Sequence, residues 1–243
     1  MRDLFVGRIL AGWDRAHGLP ASEQACALLA AAFAQTPEQE LAKLPLGDRD
    51  RRLLELRAIL FGEHMAGLAR CTNCHERLEL DFAVSDIYVK RPDHADDLRI
   101  EAAGFIVDMR LPRGSDLAAL ADSEDAGSAR RLLFERCVIK ASSAGAPVAV
   151  ADLPEPVVAA AAERMAEQDP QANIELNVEC PSCGHASQAV FDIASFLWHE
   201  VEASALRILR DVHELALAYG WPEAEILSLS PARRQLYLEM LAQ

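Results

Sequence analysis

The chain has 243 residues, of which 51% are hydrophobic and 26% are charged, which is ordinary for a soluble globular protein of one large or two small domains. Its formal net charge of −14 argues against nucleic acids and anionic membrane surfaces as partners, because no basic stretch is present to neutralise phosphates. With no signal peptide and no apolar run near the roughly 20 residues of a membrane span, we expect a reduced, cytoplasmic protein.

The first seventy residues are predicted to be helical. Apolar residues recur at helical spacing, most strongly from Leu53 to Phe61, as in an amphipathic helix. This helical region is expected to lead directly to the first cysteine pair, which begins at Cys71.

Residues 76–111 change to the periodicity of β-structure. Leu78–Val84 alternates between apolar and polar residues, Leu98–Ile100 repeats the pattern briefly, and Phe105–Leu111 is rich in strand-forming residues. These segments predict three antiparallel strands of one sheet, the first of them growing out of the first cysteine pair. Ser115 or Asp116 is then expected to cap a helix that follows the sheet.

A second hairpin is predicted near residue 180. Ile174–Val178 alternates up to Cys180, and Ala189–Ile193 continues beyond Cys183, so the second cysteine pair is expected at the hairpin tip, as in a zinc ribbon. Three residues of the first region recur here at one constant offset: Cys71, Cys74 and Phe82 match Cys180, Cys183 and Phe191. The sequence match does not extend further, which favours similar knuckle geometry over an internal duplication.

The last fifty residues carry the clearest helical pattern. Leu197–Tyr219 places its apolar residues on one face, Gly220 is a suitable helix terminator, and Ser230 with Pro231 is typical of the start of a final helix. Four amphipathic aromatic residues lie at this end: Trp198, Tyr219, Trp221 and Tyr237. Residues of this type are enriched in partner interfaces, but for any one of them a place in the local helical core is the more favoured interpretation.

The two Cys-x-x-Cys pairs are the strongest chemical signal in the sequence. Cys71, Cys74, Cys180 and Cys183 offer four thiolates, which fit the tetrahedral shell of a closed structural zinc site. The pairs are separated by 105 residues, so a shared ion closes a long loop at a cost of roughly 4 kcal/mol. Structural zinc contributes about 10–16 kcal/mol in small peptides, so coordination exceeds that cost. We predict one shared structural zinc.

Other interpretations of the cysteines are weaker. A thioredoxin-like redox pair opens a helix, and a disulfide framework needs an oxidising compartment. His75 and His185 follow the two pairs and could each replace a thiolate, but four cysteines already fill the shell. Cys26 and Cys137 lie in apolar helical patterns and are expected to be inert core thiols.

No catalytic motif is recognised in the sequence. Nucleophile elbows, phosphate-binding glycine loops and the His-Glu-x-x-His zinc motif are all missing. His199 and His213 each stand beside an acidic residue, but they lie about 21 Å apart along one helix, too far to share a metal. We expect a protein without enzymatic activity whose two histidines face solvent or a partner.

These patterns predict an α+β fold that is mostly helical, with a small antiparallel sheet and zinc-ribbon unit held by the four-cysteine site. The expected regions are a helical one over 1–70, a zinc-ribbon-like one over 71–193 with a helical insertion at about 115–168, and a C-terminal helical one over 194–243.

Several short motifs together resemble the baseplate hub assembly chaperone family of T-even-like tailed phages and phage-tail-like contractile injection systems. In chain order they are Leu46-Gly47-Asp48-Arg49, Leu53-Leu54-Glu55-Leu56-Arg57, Cys71-x-x-Cys74, Arg110-Leu111-Pro112-x-Gly114-x-Asp116-Leu117, Asp169-Pro170, Cys180-Pro181-x-Cys183-Gly184-His185, Phe191-Asp192-Ile193, Phe196-Leu197-Trp198, Val212-His213-x-Leu215-Ala216, Tyr219-Gly220-Trp221, Glu225-Ile226-Leu227 and Arg233-Arg234-x-x-Tyr237-Leu238. The resemblance implies a non-enzymatic factor that assists assembly of a contractile-tail hub or spike, with those proteins as partners. Two alternatives stay open: a structural zinc-containing baseplate component that remains in the particle, and a thiol oxidoreductase.

Overall fold

The computed structural model describes residues 2–90, 92, 98–120, 123 and 125–242. The α-helices in these residues are α1 (Arg2–Ala16), α2 (Ala21–Ala32), α3 (Glu38–Leu41), α4 (Leu46–Phe61), α5 (Val84–Ile87), α6 (Gly114–Ala118), α7 (Ala126–Cys137), α8 (Glu155–Gln168), α9 (Ile193–Tyr219), α10 (Glu223–Ser228) and α11 (Pro231–Leu241). The strands are β1 (His64–Arg70), β2 (Arg77–Ala83), β3 (Leu98–Ala102), β4 (Phe105–Met109), β5 (Val138–Ser143), β6 (Ala146–Pro147), β7 (Ile174–Glu179) and β8 (Ala186–Phe191). The predicted α+β class, mostly helical with small antiparallel sheets, is confirmed.

The strands of the described residues pair into three separate antiparallel sheets. β1 pairs with β2, β7 pairs with β8, and β3, β4, β5 and β6 form a four-stranded meander. The predicted single sheet over residues 76–111 is therefore wrong, since β2 belongs to one sheet and β3 and β4 to another. Alternation along a strand predicts which of its faces is buried, but it carries no information about the neighbour that supplies the hydrogen bonds.

Strand β1 replaces the last part of the predicted N-terminal helical region. Helix α4 ends at Gly62, whose φ of 93° is unfavourable for residues with a Cβ, and the chain then pairs with β2 from His64 opposite Ala83 to Arg70 opposite Arg77. The prediction that residues 64–70 are helical is wrong, and Cys71 follows a strand. The pairing satisfies the backbone groups that each strand turns towards the other.

The largest hydrophobic core joins the N-terminal helices to the first half of α9. Leu28 of α2, Leu54 of α4 and Leu197 of α9 are fully buried in it, and burial of each such side chain contributes about 1.5–3 kcal/mol. A second core lies between the four-stranded sheet and helices α7 and α8, with Val107 and Val157 at its centre. Two smaller clusters lie between the two-stranded hairpins and at the C-terminal end of α9.

Helix α9 confirms the predicted C-terminal pattern. It has 27 residues and is therefore about 40 Å long. Its first half packs on α2 and α4, and its second half packs against α10 and α11. Gly220 ends it with a left-handed φ of 68°, and Ser230 accepts a hydrogen bond from the Arg233 amide at the start of α11. None of the helices in the described residues has the length and apolar content needed to cross a bilayer.

The internal likeness between the two cysteine regions extends beyond the three residues that match in sequence. The starts of three elements recur 109 positions later: β2 at Arg77 and β8 at Ala186, α5 at Val84 and α9 at Ile193, and α4 at Leu46 and α8 at Glu155. Each cysteine pair thus lies in the same order of helix, strand, knuckle, strand and helix. The two hairpins are equivalent units that pack against each other.

Candidate metal centre

Both cysteine pairs occupy tight turns at hairpin tips. The Cys71 amide donates to the Glu76 carbonyl at 2.9 Å, and the Cys180 amide makes the equivalent bond to His185 at 3.0 Å. Each turn also requires a left-handed residue directly after its second cysteine. His75 has this conformation in the first turn with φ 61°, and Gly184 has it in the second with φ 68°.

The two hairpins bring four sulfur atoms together. The Sγ atoms of Cys71, Cys74, Cys180 and Cys183 all lie within 4.8 Å of one another. Cys71 Sγ lies 3.7 Å from Cys183 Sγ, and Cys74 Sγ lies 3.6 Å from Cys180 Sγ. In a tetrahedral shell with metal–sulfur bonds of about 2.3 Å, neighbouring sulfurs are about 3.8 Å apart. The cluster can therefore hold a metal ion.

The sulfur contacts reflect the equivalence of the hairpins. Cys71 is equivalent to Cys180, and Cys74 is equivalent to Cys183, because each pair of positions is 109 residues apart. In both close sulfur contacts, the first cysteine of one hairpin therefore meets the second cysteine of the other. The first cysteine of each pair is buried, while the second is exposed. Leu78 of β2 is also buried on the inner faces of the hairpins. The cluster thus has one face in a small apolar core and the other towards solvent.

Hydrogen bonds already favour ionisation of one thiol. The Cys74 amide donates to Cys71 Sγ at 3.5 Å and, with further bonds in the turn, lowers the pKa of Cys71 to about 6. At Cys74 the Glu76 amide stabilises the thiolate, but the neighbouring thiols, Cys183 foremost, and burial outweigh it and raise the pKa to about 12. Several adjacent thiolates repel one another, so a bound cation is needed for all four to ionise.

The remaining candidate residues lie outside the cluster. His75 and His185 are exposed, and His185 Nε2 lies 3.1 Å from the Thr72 hydroxyl. Cys26 is half-buried in α2, and Cys137 is buried at the end of α7, where burial raises the pKa of its thiol to about 11. The cysteines of the described residues are all unbridged, and the closest sulfurs are well beyond the roughly 2.05 Å of a disulfide.

The histidines of α9 do not form a site together. His199 and His213 are both exposed, and His199 Nδ1 lies 2.6 Å from the Ser195 carbonyl oxygen of its own helix. Their neighbour Glu200 instead receives two hydrogen bonds from the buried guanidinium of Arg57, at 2.9 and 3.0 Å. Sequence reasoning missed this link between α4 and α9, because the partners are 143 residues apart.

A second polar centre surrounds Asp116, which is fully buried. Arg110 donates to both of its carboxylate oxygens, at 2.6 and 2.9 Å, and Arg136 donates to one at 3.1 Å. The prediction that Ser115 or Asp116 is the cap of a helix is wrong, because the cap position of α6 is occupied by Arg113. The Arg113 amide donates a hydrogen bond of 2.9 Å to the Asp116 carboxylate. Asp116 lies inside the first turn, where it connects α6 to the end of α7.

Comparison with known proteins identifies the family. The family model described as T4 bacteriophage base plate protein matches residues 22–198, which are 177 of the 243 residues and include both knuckles. No curated protein and no solved structure matches the chain significantly. Family membership supports a structural or assembly role in a baseplate and interaction with other baseplate proteins. The chain belongs to the T4 bacteriophage base plate protein family.

Proposed function

We propose that the chain is an assembly chaperone for the hub or spike of a contractile tail, in a phage or in a phage-tail-like injection system. It binds an incomplete hub or spike subunit in the bacterial cytoplasm and covers that subunit's apolar contact surface until the neighbouring subunits arrive. The family match supports a baseplate role. The observation that favours the chaperone role is the exposed apolar surface of the C-terminal helices.

Exposed apolar residues are concentrated in α9 and α11. Seven of the fifteen large apolar side chains that are exposed in the described residues lie between positions 206 and 241. Leu206, Leu209 and Leu217 share one face of α9, and Leu217 is 80% exposed. Leu236 and Met240 lie one turn apart on α11. We call these five residues the C-terminal apolar stripes, and such surface is characteristic of protein interaction sites.

The four-thiolate cluster is proposed to hold a structural zinc ion. Cys71, Cys74, Cys180 and Cys183 would complete the shell and leave no open position for water or substrate, so the ion would supply stability and not catalysis. It would join two hairpins that bury very few apolar residues between them. A cytoplasmic location fits this role, because reducing conditions keep the thiols available to the metal.

Co-expression with the hub and spike proteins of the same tail tests the chaperone role. We expect at least one of these proteins to co-purify with the chain, and we expect Leu217→Arg to reduce the captured amount by about tenfold. Ile139→Arg is the matched control, because Ile139 is 65% exposed on β5, outside the C-terminal helices. Failure of every hub and spike protein to co-purify, together with normal particle yield after gene deletion, would contradict the proposal.

A structural baseplate component is the second candidate, because the family name refers to the base plate itself. Mass spectrometry of purified particles separates the two roles. A chaperone is absent from the finished particle, whereas a structural component is present in stoichiometric amount.

A further inference from the structure

A groove of about 1000 Å³ runs between the two hairpins, along β2 on one side and β7 on the other. Leu80 and Leu176, both half-buried, lie among its lining residues and belong to the small core between the hairpins. Each hairpin has only two strands, so each of its strands has one edge without a partner strand. The groove therefore has an open strand edge on each side.

The hydrogen-bond alternation shows which backbone groups face the groove. The Cys180 amide bonds to His185, and in an antiparallel ladder every second pair along the strands is bonded in this way. Residues 178, 176 and 174 therefore bond to β8, whereas Glu175, Asn177 and Glu179 direct their amides and carbonyls away from it. In the part of the chain that the structure describes, no backbone hydrogen bond joins these three residues to another element.

The charge of the groove favours one kind of occupant. Its ionisable lining residues are five carboxylates and one guanidinium: Glu79, Asp81, Asp86, Glu175, Glu179 and Arg77. Acidic edges repel each other, so the two open edges resist pairing with a second copy of the chain. An added strand with cations on alternate residues would place them beside Glu175 and Glu179, while its other side chains would face the apolar floor.

We propose that this groove binds an extended, basic segment of a partner protein, which adds a strand to the free edge of β7. The main-chain hydrogen bonds of Glu175, Asn177 and Glu179 hold the segment, and the carboxylates select lysine or arginine at alternate positions. The inference rests on the proposed function only in taking a baseplate protein as the source of the segment. It adds a second contact surface, distinct from the C-terminal apolar stripes.

Peptide binding to the intact protein tests the proposal directly. The probe is a synthetic peptide of alternating valine and lysine, and the control peptide carries glutamate in place of lysine. We expect saturable binding of the lysine peptide, with slowed hydrogen exchange at the amides of Glu175, Asn177 and Glu179. Methylation of alternate peptide nitrogens should abolish binding, because it removes the donors of the new ladder.

A pair of charge-reversal variants checks the selectivity. Glu175→Lys/Glu179→Lys should weaken binding of the lysine peptide by about tenfold or more, since like charges then face each other across the new strand pair. Glu223→Lys/Glu239→Lys changes the net charge equally on the exposed surface of α10 and α11 and should have little effect. Equal loss in both variants would show nonspecific attraction to an acidic protein and would overturn the proposal.

The outcomes separate this inference from the proposed function. If hub or spike proteins co-purify but the peptide does not bind, or binds without protecting β7, the groove proposal is wrong and the assembly role stands. If the peptide binds at β7 but no tail protein co-purifies, the groove proposal stands and the assembly role fails. Binding that is unaffected by nitrogen methylation would exclude strand addition.

Discussion

The backbone amide of Gly47 donates a hydrogen bond of 2.7 Å to the carboxylate of Asp169, which lies 122 residues further along the chain and is 2% exposed. Gly47 is in the first turn of α4, where amides have no partner within the helix, and Asp169 directly follows α8. The carboxylate satisfies one such amide and also interacts favourably with the positive end of the helix dipole. This bond joins two of the motifs on which the family resemblance rests.

Gly47 is required for close approach. A Cβ atom at this position would lie 1.8 Å from Asp169 Oδ1, which is well inside contact distance. We therefore expect Gly47→Ala to lower the free energy of unfolding by about 2–4 kcal/mol, from steric overlap and the loss of a charge-assisted bond. Denaturant unfolding measures this change. Gly7→Ala in α1 is the control: a Cβ there meets no atom within 4 Å, and the change should stabilise slightly. A Gly47→Ala protein as stable as the parent would contradict this packing.

Asp116 should make stability dependent on pH in acid. Burial opposes its ionisation, but the hydrogen bonds from Arg110, the Arg113 amide and Arg136 lower its pKa overall. Because the pKa is lower in the folded state, the stabilising contribution is complete above the unfolded value of about 3.9 and is lost as the pH falls through the folded pKa. Asp116→Asn should cost about 3–5 kcal/mol at neutral pH and flatten the stability curve below about pH 4. Urea unfolding across this pH range is the measurement, and an unchanged acid slope would be inconsistent with the pairing.

Cys183→Ser should remove one ligand of the proposed zinc site. We expect the parent protein to contain one zinc ion per chain and the variant to lose it to a mild chelator, with a lower melting temperature, because metal binding and folding are coupled. Elemental analysis and thermal unfolding measure the two effects. Cys26→Ser, at a half-buried thiol outside the cluster, should keep its zinc. A parent protein that contains no zinc, yet reduces disulfides, would favour the thiol oxidoreductase alternative.

The two knuckle turns offer a matched comparison. Gly184 and His75 occupy equivalent positions, and both have left-handed φ values, of 68° and 61°. Gly184→Ala introduces a Cβ into this conformation and should destabilise the protein by about 1 kcal/mol. His75→Ala replaces one residue that has a Cβ by another, so its effect should be much smaller. Equal effects on thermal stability would show that backbone conformation is not the cause.

Local patterns in the sequence were sufficient for several elements. The apolar spacing of Leu197–Tyr219 predicted α9, because a helix repeats every 3.6 residues along the chain itself. Alternation on both sides of the second cysteine pair predicted the β7–β8 hairpin. The residue types also indicated a site for metal, since two Cys-x-x-Cys turns offer four soft ligands. Assignment of the four cysteines to one shared zinc stays a prediction.

Other features depended on partners far away in the sequence. Residues 64–70 contain little strand-favouring sequence, and they form β1 because β2 and the knuckle supply its hydrogen bonds. The ion pairs of the buried residues Arg57 and Asp116 could not be predicted from local patterns, because the groups that pair with them lie on other elements.

The sequence by itself therefore determined helix α9, the hairpin tip at the second cysteine pair and the set of four thiols that can bind a metal, which all follow from the local order of residues. Only the tertiary structure decided how the strands divide into sheets, which buried charges meet, and that the hairpins leave two acidic edges along one groove. Pairing between distant segments is chosen by the packing of the whole chain, and a local pattern contains no record of it.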